Sequence, residues 1–212
     1  MMINAVLTQK PPPGKNPRSW GSAFWIVLHV AFYDQVWENE HVRQIHTLLP
    51  EHLPCATCRQ NHRRFRHEVE SITFKTPNRW VNDAHNFVNR MHEYPTFTLN
   101  QSIERTTTLY MQPWMWINAF FKMTAFLISH YQQHLKSEKL IYSLCQLMYF
   151  EPKVKKCIEN LCLADWKETR ESKMALLREL HAIHMYYDDD ILIPTFDDYL
   201  KWIEQASYGD IN

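Results

Sequence analysis

Only three glycines, Gly14, Gly21 and Gly209, occur among the 212 residues. Phosphate-binding loops and doubly wound sheets turn on glycines at fixed offsets, so a dinucleotide fold or P-loop has nowhere to form. In place of turns, apolar residues recur at helical spacing over long stretches. Together these features predict an all-α chain. Hydrophobic residues make up 45% of it, enough for a folded core. Lys plus Arg and Asp plus Glu each number 23, so the charge balance gives no pull towards nucleic acid.

Residues 1–19 read as a flexible, Pro-rich basic arm. A first helix is expected from about Trp20, with Trp25, Leu28, His29 and Phe32 on one face. A second spans about 39–49, punctuated by Pro50 and Pro54. A third runs from Cys55 to about Val69, and a fourth from Pro77 to about His92, stopped by Pro95. Residues 96–112 form a connector with a short helix around Ser102–Thr107. Beyond Pro113 five more helical stretches follow. The chain therefore divides near residue 110, into 20–110 and 111–212, with no evident internal repeat. Trp114–Tyr131 is apolar enough to raise a membrane span. Asn118, Lys122 and His130 interrupt it and it is barely long enough, so it reads as a buried core or interface helix.

Five cysteines are present: Cys55, Cys58, Cys145, Cys157 and Cys162. An odd number does not suit a purely structural disulfide framework. The N-terminal stretch lacks the apolar core of a signal peptide, which predicts an intracellular protein in which disulfides are transient or catalytic. Cys55 and Cys58 form a C-x-x-C pair behind Pro54, at the head of a helix carrying Arg59, Arg63, Arg64 and Arg66. Free N–H groups at a helix start and nearby positive charge both favour thiolate, and the spacing permits a small disulfide ring. This suits thiol–disulfide exchange. Three alternatives stand beside it: a zinc clip with His62 and His67, a thioredoxin-type motif, and an inert buried pair. Ligands so close on one helix surround a tetrahedral ion poorly, and no strand precedes the motif. On the fourth helix Asn82, His85, Asn86 and Asn89 form a polar stripe in apolar surroundings. Such a stripe is expensive unless its hydrogen bonds are met, and a ligand with polar edges would meet them.

Three blocks then fall in order: "GSAFWIVLHVAFY" (21–33), "LPCATC" (53–58) and "WVNDAHNFVNRM" (80–91). Together they resemble the ERV/ALR family of FAD-linked sulfhydryl oxidases, over about residues 18–106. The resemblance implies a four-helix bundle with a short fifth helix, holding FAD in its mouth, followed here by a second helical domain. It implies Cys55 and Cys58 as the catalytic pair, Cys55 taking the mixed disulfide and Cys58 facing the flavin. It implies Gly21, Trp25, His29, Phe32, Tyr33, Cys58, Asn82, His85, Asn86, Val88, Asn89, Arg90 and Arg105 as cofactor contacts, and no metal. Thr106 stands where the family has an aromatic, for which Tyr110 could substitute.

The same resemblance implies a thiol oxidase that forms disulfides in protein substrates and passes electrons through flavin to O2, giving H2O2. Cys157 and Cys162 are a candidate shuttle pair, although positions i and i+5 of one helix point well apart, and packing is the competing reading. Relatives dimerise through the first two helices, so a homodimer is expected, without a membrane span. Extra helices beside this fold suggest a large DNA virus, with activity in host cytoplasm or nucleus, on virion proteins or through a thioredoxin-like relay. The alternative function is a non-catalytic helical binding module with a zinc-bound or inert C-x-x-C.

Overall fold

A computed structural model describes residues 21–53, 56–70, 76–187 and 195–204. Among the described residues the fold is all-helical, in agreement with the glycine poverty of the sequence. Ten α-helices follow one another among the described residues: α1 Gly21–Ala31, α2 Glu40–His52, α3 Ala56–Phe65, α4 Pro77–Met91, α5 Leu99–Tyr110, α6 Pro113–Ser129, α7 Ser137–Leu147, α8 Pro152–Leu163, α9 Arg170–Tyr187 and α10 Phe196–Glu204. A π-helical turn, Arg66–Glu70, continues α3.

Local chemistry explains most boundaries. Asn39 caps α2 by accepting a hydrogen bond from the His41 N–H. Thr76 does the same for Arg79 at the head of α4, where Pro77 takes a first-turn position that needs no donor. Thr98 and Gln101 form a reciprocal capping box on α5. That box lets α5 run from 99 to 110, well beyond the short helix expected around Ser102–Thr107. Nor does Pro50 end α2, which continues to His52. In a chain so short of glycine, left-handed turn positions fall to other residues: Asp34, Glu93 and Lys136 have φ of 54°, 58° and 55°.

Helices α1 and α6 are apolar on nearly all sides because each is covered on nearly all sides. In α1 the residues Ala23, Phe24, Ile26, Val27, Leu28, Val30 and Ala31 are buried. α1 packs against α6, and α2 against α7; these are the most extensive helix pairings between the two halves. Phe24 meets Phe126 edge-on at 6.3 Å, and Ser143 Oγ donates to Gln44 Oε1 at 2.7 Å. Buried side chains from both halves join in one core. The faces of α1 and α2 expected to carry a homodimer are thus covered by α6 and α7 of the same chain. α6 lies inside this core, and no helix of the described residues is long and apolar enough to cross a membrane.

Candidate functional site

Helix geometry places Trp25 and His29 one turn apart on α1. α4 crosses beside them and brings in His85. The Trp25 and His85 rings stack, with centroids 4.3 Å apart and planes 8° from parallel. His29 Nε2 lies 3.1 Å from His85 Nδ1. From α5, Ser102 Oγ reaches to 3.4 Å of His29 Nδ1. The three rings and one hydroxyl form a chain in which each nitrogen contact needs one donor and one acceptor, which two neutral imidazoles supply. Electrostatics agree. Burial lowers the pKa of His29 to about 4. Burial first, then the neighbouring His29 and Arg105, lower that of His85 to about 3. At neutral pH both rings are uncharged, able to donate at one nitrogen and accept at the other.

Amides in the rest of the polar stripe find partners within the chain. Asn86 donates from Nδ2 to the Phe97 carbonyl at 2.6 Å and accepts from the Phe97 N–H at 2.9 Å. Asn89 donates to the Pro95 carbonyl at 2.9 Å. These two amides therefore find their partners in the chain, and they lash the 95–97 segment to α4. That segment carries the Phe97 ring to 6.5 Å from His85, with the Arg105 guanidinium 4.0 Å above it. Tyr33 reaches α5 through Thr107, oxygen to oxygen at 3.2 Å, and its ring lies 5.8 Å from that of Tyr110. Asn82 is buried, with its amide 3.5 Å from Asp83. Gly21 and Val88 are partly buried, and Arg90 faces solvent.

Phe32, expected to continue a cofactor wall, is fully buried and stacks on Trp80 at 5.5 Å. Trp80 is itself enclosed by Phe32, Trp37, His46, His62 and Phe65. Phe32 is thus part of an aromatic core between α1 and α4, not an exposed surface. His62, a candidate zinc ligand by spacing, belongs to the same box and is buried.

Cys55 and the side chain of Cys58 lie outside the described residues; the Cys58 backbone sits in the first turn of α3. The arginines beside them are in part committed elsewhere. Arg59 donates to the Leu53 carbonyl at 2.7 Å. Arg63 forks onto Glu51, at 2.9 and 3.1 Å, and Arg64 pairs with Glu68. Arg59 and Arg63 so tie α3 to the end of α2. Arg63 and Arg64 thus each face a carboxylate.

Cys157 and Cys162 share α8 but not an environment. Cys157 is exposed, at a shallow groove with Lys153, Lys156 and Tyr186. Cys162 is buried, and burial raises its pKa far above the usual thiol range. Burial likewise pushes Cys145 up to about 12. Cys145 and Cys162 are inert core thiols at neutral pH, and all three are free. Among the described residues no group of three or more His, Cys, Asp or Glu side chains gathers as metal ligands.

Comparisons of the chain with family models, with curated proteins and with solved structures give no match. Function rests on the residues themselves. Trp25, His85, Phe97, Tyr33 and Tyr110, two uncharged imidazoles and the Arg105 cation offer ring surface, hydrogen-bonding groups and one positive charge, chemistry that could hold a flat heteroaromatic with an anionic tail. Sequence reasoning missed Ser102, since a serine in a polar helix carries no signal until the fold sets it against His29.

Proposed function

We propose that this chain is a flavin-linked thiol oxidase that introduces disulfides into protein substrates. The observation that carries the reading is the half-buried Trp25–His85–His29 cluster, built by the two helices that bear the first and third sequence blocks. Its ring faces and uncharged imidazoles suit FAD, and Arg105 suits the phosphate-bearing side. When bound, that group supplies a two-electron acceptor that O2 reoxidises, with H2O2 as product.

The chain's own part is thiol chemistry and positioning. A substrate thiolate attacks Sγ of Cys55 in the Cys55–Cys58 disulfide. One S–S bond forms, the original one breaks, and Cys58 leaves as thiolate. The substrate's second thiolate then attacks the mixed disulfide, releasing Cys55 and the oxidised substrate. The helix start of α3 stabilises the Cys58 thiolate through its free N–H groups and dipole. Arg59 and Arg63 hold α3 against the end of α2. Asn86 and Asn89 hold Phe97 and, through it, the Arg105 side of the cluster.

Oxygen uptake with a small dithiol tests this directly. The wild type consumes oxygen and releases peroxide. The double variant Cys55→Ser, Cys58→Ser retains flavin and loses turnover. Wild-type rates in that variant, or a protein that takes up no flavin, would refute the proposal.

A further inference from the structure

The two halves repeat one another in order and in contact. In the first, α1 touches α4 and α5, α2 touches α3, α3 touches α4, and α4 touches α5. In the second, α6 touches α9 and α10, α7 touches α8, α8 touches α9, and α9 touches α10. Between halves, the most extensive contacts join first helix to first and second to second, the like-with-like pattern of a two-fold interface, with smaller α5–α6 and α1–α7 contacts beside them; within the second half an α6–α7 contact is added.

Side chains repeat as well. Ala23-Phe24-Trp25 of α1 has a counterpart in Ala119-Phe120-Phe121 of α6. Trp25 stacks on His85 of the fourth helix, and Phe121 stacks on His184 of the ninth, with centroids 4.1 Å apart and planes at 11°. Pro95-Thr96-Phe97 recurs as Pro194-Thr195-Phe196 at the head of each half's last helix. Each phenylalanine ring lies under an arginine, Arg105 at 4.0 Å and Arg178 at 5.0 Å, although the first comes from the last helix of its half and the second from the fourth.

The two ring sites differ in access. Trp25, His29 and His85 are partly exposed, whereas Phe121 is 0% and His184 1% exposed. His184 Nε2 donates to Asn118 Oδ1 at 2.8 Å, and Tyr199 closes over it with ring centroids 6.0 Å apart. Carrying the α1–α6 match forward without a gap puts Ala125 at the place of His29, and the buried Lys122 at that of Ile26.

We infer that α6–α10 are a degenerate second copy of the α1–α5 unit, docked like-with-like on α1 and α2, with their own ring site sealed by side chains. One chain then holds two bundles and a single ligand site, and its partner face is built in. The single-site statement rests on the flavin reading above; the duplication does not.

Native mass spectrometry of the full chain saturated with FAD reads flavins per chain. The expected result is one. His85→Ala removes it and His184→Gln does not. Two flavins per chain, or loss in His184→Gln with retention in His85→Ala, overturns the inference. A wild type that binds none refutes the flavin reading instead, and a second measurement then decides the packing. The pair Gln44→Cys, Ser143→Cys, mapped by peptide mass after oxidation, is expected to link residues 44 and 143 within one chain. A link between chains overturns the built-in partner face.

Discussion

Two histidines, each stacked on an aromatic ring, occupy matching places in the two halves and have opposite fates. His85 lies on Trp25 at a partly open surface, bonded onward to His29. His184 lies on Phe121 in the dry core, bonded to Asn118. The ring geometry is nearly the same, and what differs is what covers it. On the proposed reading, a stack left open is a place for a ligand. The same stack closed by Tyr199 is a piece of core. Burial, rather than the stack itself, separates the two sites.

The largest effect that would break this contrast is a cavity at the closed stack. Phe121→Ala removes a fully buried ring, at a cost of about 3–5 kcal/mol, and lowers the melting temperature by on the order of 10 °C. Calorimetry of that variant checks it; a loss below about 1 kcal/mol would mean the second half is loosely packed.

Acid comes next. The folded-state pKa values of His184 and His85 fall to about 3 and that of His29 to about 4, from 6.5. A lowered value means the unfolded chain takes up protons before the folded one does. The stabilisation is therefore complete above pH 6.5 and is lost as pH falls towards the folded-state values. For His184, the most buried, that amounts to roughly 3 kcal/mol by pH 4. Thermal melts across pH 4–7 are expected to fall steeply below 6.5, and His184→Gln to flatten the fall.

The open stack behaves otherwise. Trp25→Ala is expected to weaken folding by about 1 kcal/mol, the scale of one aromatic pair, while abolishing flavin retention. Ser102→Ala is smaller still: about 1 kcal/mol or less, with one hydrogen bond to His29 lost. Thiol labelling sharpens the comparison at its finest grain. Of the cysteines at 145, 157 and 162, only Cys157 is expected to react in the folded protein.

The all-α class and the helices bearing Trp25, His29 and His85 were legible in the sequence, because glycine poverty and helical spacing are local signals. The clamp made by Asn86 and Asn89 was not. Their spacing announces a polar stripe, but its partners, Phe97 and Pro95, arrive from beyond the helix end. The stacking of Phe32 on Trp80 was not legible for a related reason: an aromatic next to a ligand-like face names no partner of its own. The duplication was illegible because only scattered residues survive from the repeat, such as Phe24 with Phe120 and Phe97 with Phe196. Its signature is the pairing of helices, a property of contacts rather than of letters. The covering of α1 by α6 could not be anticipated either, since an all-round apolar helix names no particular neighbour.

Titration of flavin-free protein with FAD, followed by the cofactor's absorbance near about 450 nm, tests the central claim most directly. Saturable uptake that is lost in both Trp25→Ala and His85→Ala, with the fold intact by circular dichroism, is the predicted result. A protein that stays colourless at saturating FAD, or that binds it equally well without those two rings, would contradict the account.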